Sequence, residues 1–377
     1  MTESNTSFDL IVVGAGIVGL AHAYVAAQRG LRVCVVERDA ACVGASVRNF
    51  GFVTVTGQGA GDTHRRARRA REVWADVAPK AGIDVIHRGL YVTAFRPRAH
   101  AVLEEFMQTD MAAGCELLTP AQAAGRAPQL RLDAAQSVLY SPHEMRVESR
   151  VAIGQLTHWL AQQMGVTFRF NEAVLEAAAP QVRTSRGVLR AERVAVCTNI
   201  DINGLYAQRL SAYPIRLCQL QMLRVATPAG FQLPGSVMSD LSLVRYHGYS
   251  ALPAAARLLE QIQGEAENEA LEHGIHLIAV QSADGSLVVG DSHHYSPGAP
   301  MPFASERVDT LMLEQLQKAL HLEQPRVLER WVGVYPSSPQ GDCLIDAPDD
   351  ATRLVIVTSG TGASTAFGIA EDVFEAW

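Results

Sequence analysis

The chain has no long uninterrupted apolar run. The apolar stretch nearest its start, "LIVVGAGIVGLA", is broken by glycines and is too short to cross a bilayer. The polar lead before it, "MTESNTSFD", has neither the basic start nor the cleavage region of a secretory leader. Cysteine is sparse: six residues, at 34, 42, 115, 197, 218 and 343, with no CxxC pair and no spacing that would hold zinc. Scattered thiols of this kind suit a reducing compartment, and a cytoplasmic protein with no metal site and no membrane segment is expected. Positive charge is not in excess. A formal net charge of −7 argues against nucleic acid or an anionic membrane as the main partner, while leaving room for a local positive pocket. The one arginine-rich segment, residues 63–78, reads as the solvated basic face of a helix. There is also no internal repeat, low-complexity tract or long linker. The 377 residues exceed what a single hydrophobic core usually organises, so two domains are expected.

What is present begins at once. "FDLIVV" is a short apolar run rich in β-branched residues, as in a buried strand. "GAGIVG" follows, then "LAHAYVAAQRG" with helical spacing, then a second strand-like run, "LRVCVVE". Gly14, Gly16 and Gly19 therefore form G-x-G-x-x-G between a strand and a helix. The first glycine permits the tight turn, the second lets backbone approach a pyrophosphate, and the third lets helix pack on strand. Phosphates would meet the free N–H groups and positive end of the helix beginning near Ile17. Glu37, ending the second strand, can accept from ribose hydroxyls and would repel a 2′-phosphate, which disfavours NADP.

The fingerprint alone does not separate FAD from NAD. A second glycine turn, "SGTGAS" (359–364), lies between the strand "RLVIVT" and the C-terminal helix. With Gly360, Gly362, Ala363 and Ser364 at its start, that helix could aim its positive end at an electron-rich ring oxygen, which a reduced flavin has. An ordinary strand-to-helix connection is the competing reading. Between the two ends lie further helices and strands. Gly187 marks a turn, Asp284–Gly285 marks a hairpin, and Ser305 stands where it can cap a helix over "ERVDTLMLEQLQKAL".

Together "VVGAGIVGL…VVERD", "GASVRNFG" and "WVGVYPSSPQGDCLID…VTSGTGASTAFGIAE" resemble the FAD-dependent D-amino-acid oxidase family, which includes glycine and sarcosine oxidases. The resemblance implies an α/β fold: a discontinuous Rossmann-like FAD-binding domain (1–85, 140–213 and 325–377) and an α+β substrate domain (86–139 and 214–324) with a mixed, largely antiparallel sheet. Within the family, "GASVRNFGFV", "RYHGYSALPAAARLL" and "GDSHHY" look like a subgroup associated with aminophosphonate breakdown. In the family, the segment after the second strand runs beside the flavin. That implies cofactor contacts for Arg38, Ser46, Arg48 and Asn49, with Arg48 also raising the local positive potential. Some relatives hold flavin through a cysteine in the segment matching "WVGVY". Gly333 and its neighbours include none, so non-covalent FAD is expected.

The implied reaction is oxidation of a C–N bond by hydride loss to the flavin, followed by imine hydrolysis, with O2 as the expected acceptor. The substrate would be a small amine with an anionic group, and arginine's planar fork is the natural clamp for that group. The strand-like runs "LVRYHGYS" and "GDSHHY" supply Arg245, Tyr246, His247, Tyr249, His293, His294 and Tyr295, and Arg216 is a further candidate. Each residue taken alone also suits a surface ion pair or a polar edge. The acid–base residues are left unassigned, and the oligomeric state is open, self-association included. A flavin dehydrogenase using another acceptor, a flavin-holding chain without turnover and an NAD-linked dehydrogenase are the rival readings.

Overall fold

A computed structural model describes residues 7–377; the polar lead at 1–6 lies outside the described residues. The first strand, Ser7–Val13, alternates its side chains between two cores. Leu10 and Val12 enter one, and Ile11 and Val13 enter the other. Both faces are covered, which is why the run is almost continuously apolar. It pairs in parallel with Val33–Val36 on one side and Gly187–Val196 on the other. Thr352–Val357 and Thr167–Arg169 extend the parallel array outward. A meander of Val174–Ala178 and Gln181–Thr184 and an antiparallel strand, Cys343–Asp349, complete eight strands. The helices Ile17–Gln28, Asp62–Lys80, Ser149–Met164 and Gly362–Glu375 pack on one face.

The second sheet has ten strands and is antiparallel apart from the pairing of Val85–Ala94 with Ser236–Met238. Its core is closed by the helices Pro97–Phe106, Pro253–Gln263 and Glu306–Ala319. Residues 140–147 and 327–337 were expected with the parallel sheet but pair in this second one, within the strands Ser137–Val147 and Val327–Ser337. The chain therefore crosses between the layers there.

The strand Arg216–Val225 is buried nearly end to end. Neighbours pair along both its edges, and Gln221 is satisfied from above: its Nε2 donates to Ser305 O and to Asp309 Oδ1. The segment around Arg245 is no strand. It is a 3-10 turn, Asp240–Val244, followed by one helical turn, His247–Ser250. Ser305 occupies the N-cap position but its side chain makes no capping bond. The basic face of helix Asp62–Lys80 is also less free than its composition suggests. Arg65 and Arg66 pair with Asp372, and Arg69 with Glu371, tying that helix to the last one. The Gly187 turn and the Asp284–Gly285 hairpin form as expected.

Candidate functional site

Two glycine turns open into one cavity of about 500 Å³ between the sheets. Gly14 has φ +102°, and a Cβ there would lie 2.7 Å from the Cys197 carbonyl oxygen. A Cβ on Gly19 would overlap the carbonyl oxygen of Gly14, so glycine alone lets the helix sit this close to the strand. Helix Ile17–Gln28 has no acidic residue in its first turn, and its Gly16 cap brings no side chain. Instead Ile17 N–H donates to Ser46 Oγ at 2.9 Å. Helix Gly362–Glu375 likewise starts without an acid or a side-chain cap. Trp74 holds that end in place: its Nε1 donates to Ala363 O, and its ring stands edge-on to Phe367. Two positive helix ends thus border one cavity, a set of donors fitted to a dinucleotide with an anionic centre and an electron-rich ring.

The loop from Gly44 to Gly51 runs along this cavity. Asn49 shapes it, donating from Nδ2 to Ala45 O and Ser46 O and accepting from Gly51 N–H. Gly51 has φ +63°, and a side chain there would strike Val147 and Arg146. Trp331 Nε1 donates to Arg48 O, so the backbone of Arg48 is fixed from the second sheet.

The second sheet supplies a different wall. Arg245 Nη2 meets Tyr295 Oη at 3.1 Å, and the Arg216 guanidinium stacks 3.9 Å above the same ring. Deeper in, His276, Asp291 and His293 are buried together, with one ligating atom of each within 4.8 Å of the others. Burial pushes the Asp291 carboxyl up to about 7, and Arg245 opposes that rise. Burial, aided by Arg245, pushes His276 down to about 3 and His293 well below its ordinary value, so both rings are neutral. Tyr246 and Tyr335 also border the cavity, their hydroxyls held protonated by burial.

Among the residues singled out from sequence, Gly16, Ser46, Arg48, Asn49, Gly360, Gly362, Ala363 and Ser364 line the cavity, as do Arg216, Arg245, Tyr246, His247, His293 and Tyr295. Gly14, Gly19 and Glu37 lie behind it. Glu37 supports the turn, accepting from Ala15 N–H at 2.8 Å and from Asp39 N–H. Arg38 is not brought in; it pairs at the surface with Asp39 and Asp201. Tyr249 is not brought in either. The helical turn carries it into the core against Phe106 and Gly57. His294 faces away to His273, because neighbouring residues on an extended strand point apart. Sequence reasoning missed Asp291, His276 and Tyr335. Asp291 stood inside the quoted "GDSHHY", Tyr335 inside "WVGVY", and His276 was one polar residue at the head of an apolar run.

The chain is similar to a component of the opine oxidase of Rhizobium meliloti, 23% identical over 359 residues, which span 90% of this chain and 84% of that protein. Among solved structures it resembles glycine oxidase from Geobacillus kaustophilus (17% identity, 98% of this chain, 94% of that one, TM-score 0.76). It also resembles L-proline dehydrogenase from P. horikoshii (18% identity, 97% and 92% covered, TM-score 0.79). Identities this low establish the shared fold. A family model described as FAD dependent oxidoreductase matches residues 9–376, and the chain belongs to that family.

Proposed function

We propose that this enzyme oxidises the C–N bond of a small anionic amine, an aminoalkylphosphonate such as 2-aminoethylphosphonate or its N-methyl form. One observation carries the reading: Arg48, Arg216 and Arg245 line the same cavity as the two glycine turns. A phosphonate carries up to two negative charges and needs more than one guanidinium, and here the half-buried Arg245 and the exposed Arg48 and Arg216 can share that charge. Bound FAD supplies the two-electron acceptor for the hydride leaving the carbon beside nitrogen. The remaining work falls to the chain. Gly16, Ser46, Arg48, Asn49 and the 360–364 turn hold the cofactor, while Arg245 and Arg216 orient the anion beside Tyr295. The parallel sheet is read as the cofactor-binding part and the ten-stranded sheet as the substrate-binding part. The imine product takes up water to give an aldehyde, or a dealkylated amine from the N-methyl substrate. O2 is taken as the final acceptor, with hydrogen peroxide as product.

Cys197 is the cysteine that borders the cavity, and burial keeps its thiol protonated, which supports non-covalent FAD. Acid precipitation is expected to release all yellow colour to the supernatant; colour retained in the pellet would contradict this. The substrate test is an anaerobic screen of flavin bleaching with glycine, sarcosine, D-amino acids, 2-aminoethylphosphonate and its N-methyl form. Phosphonates are expected to bleach fastest. The likeness to a glycine oxidase fold keeps a carboxylate amine as the second reading, and a clear preference for glycine or sarcosine would establish it.

A further inference from the structure

The floor of the cavity carries groups that the proposed reaction has not yet used. His276 Nδ1 lies 3.3 Å and His293 Nδ1 2.8 Å from one atom, the carbonyl oxygen of Gly274. A carbonyl only accepts, so each Nδ1 bears hydrogen, and in a neutral ring each Nε2 is then a bare acceptor. Both bare nitrogens face Asp291: His276 Nε2 is 3.4 Å from Oδ1, and His293 Nε2 is 3.8 Å from Oδ2. Asp291 Oδ1 has no hydrogen-bond donor although it is buried. A buried oxygen without a donor is costly, and two further acceptors stand beside this one at the cavity wall.

The arrangement is fixed by the fold. Gly274 has φ +65°, and a Cβ there would lie 2.7 Å from His293 Cβ, so only glycine lets one carbonyl reach both rings. Asp291 follows the strand Leu287–Gly290, whose partners hold it on both edges. The charged and titratable groups around Asp291 are the two histidines, Arg245, Tyr246 and Cys218. The guanidinium of Arg245 disfavours a lasting multivalent cation at this spot. An ammonium group suits it better, since it brings the missing N–H donors and can discard its charge.

We propose that Asp291, His276 and His293 form the dock for the substrate's ammonium group and that Asp291 takes its proton. The inference rests on the amine-oxidation reading above. In the step, one N–H bond of the ammonium breaks and an O–H bond forms at Asp291 Oδ1. The –NH3+ and –COO− groups become –NH2 and –COOH, with no change in oxidation state. The two Nε2 atoms hold the amine's remaining hydrogens, leaving its nitrogen lone pair free to assist hydride loss. The anion rests toward the mouth, at Arg245 and Arg216, so the substrate enters amine first.

The test compares Asp291→Asn with wild-type holoenzyme, using 2-aminoethylphosphonate and ethylphosphonate, which lacks the amine. Binding is read from the visible spectrum of the flavin. The variant is expected to bind the aminophosphonate at least about tenfold more weakly and ethylphosphonate unchanged. Anaerobic bleaching at pH 7 should fall about 100-fold and recover toward alkaline pH, where the amine loses its proton unaided. Should the variant not fold, the wild type gives the same readout: the affinity ratio of the two ligands should shrink as acid protonates Asp291. Equal losses for both ligands, unchanged bleaching, or a pH-independent ratio would overturn the dock. So would a stoichiometric metal in the wild type that Asp291→Asn lacks. If both ligands bind but no amine bleaches the wild-type flavin, the oxidation reading fails while the binding ratio still decides the dock.

Discussion

The two ends of the cavity are made of different material. At the parallel-sheet end the walls are backbone: two glycine turns, two helix starts and a loop pinned by its own asparagine. At the other end they are side chains from separate segments: Arg216 and Tyr335 on paired strands, and Arg245, His276 and Asp291 on the turns and strand ends beside them. A backbone wall gives close approach, and at Gly14 and Gly19 it leaves no room for a Cβ. A side-chain wall can be altered one group at a time while the fold persists, so it is the place where ligand choice is set. Substitutions at the first end should cost cofactor and fold together; at the second they should cost substrate alone.

The sharpest break of that contrast is Gly19→Val. Its side chain would collide with the Gly14 carbonyl and lift the helix from the strand. The expected outcome is protein that retains no FAD and unfolds well below wild type, read by flavin absorbance and thermal melting. Trp74→Ala comes next. It removes a fully buried ring and the bond to Ala363 O, and should lower stability by about 3–5 kcal/mol in urea unfolding. FAD affinity should fall with it, because the start of the last helix loses its brace.

Acid should separate the ends by a different route. His22 lies buried in the first helix with its ring pushed down to about 4 by burial, and His276 on the cavity floor is pushed down to about 3. Unfolded histidine titrates near 6.5, so both are depressed in the fold. The stability they contribute is present above pH 6.5 and is lost as pH falls through the folded values. The loss for His22 is on the order of 3 kcal/mol and is complete near pH 4, whereas that for His276 continues lower. Urea midpoints measured from pH 7 to pH 3.5 should fall steadily below 6.5; a flat profile would count against neutral buried rings. The smallest effect on the fold is expected from Arg245→Met. FAD content and melting should stay near wild type, while KM for 2-aminoethylphosphonate rises about 100-fold, equivalent to roughly 2.7 kcal/mol of lost anion binding. A parallel loss of FAD would erase the distinction between the two ends.

The same contrast explains what could be read from the chain alone. The cofactor end is written in contiguous residues. Gly14, Gly16 and Gly19 sit between a strand and a helix, and Gly360 and Gly362 repeat the pattern, because a turn and the helix it starts are neighbours in sequence. The other end depends on pairing that no local pattern reveals. Arg245 was read on a strand, yet it follows a 3-10 turn, and that change of period sends Tyr249 to the core. At "SHHY" the alternation of an extended segment puts His293 inward and His294 outward, and no local signal distinguishes one from the other. Asp291 and His276 meet only because Ile278–Gln281 and Leu287–Gly290 pair as a hairpin and Gly274 turns back toward His293.

The most direct measurement is the visible spectrum of the purified protein supplied with FAD, followed without oxygen as 2-aminoethylphosphonate or its N-methyl form is added. The expected result is a flavin spectrum that bleaches with one equivalent of amine per FAD and leaves the pellet colourless after acid precipitation. A protein that stays colourless after soaking in FAD, or a bound flavin that no anionic amine reduces, would contradict the account.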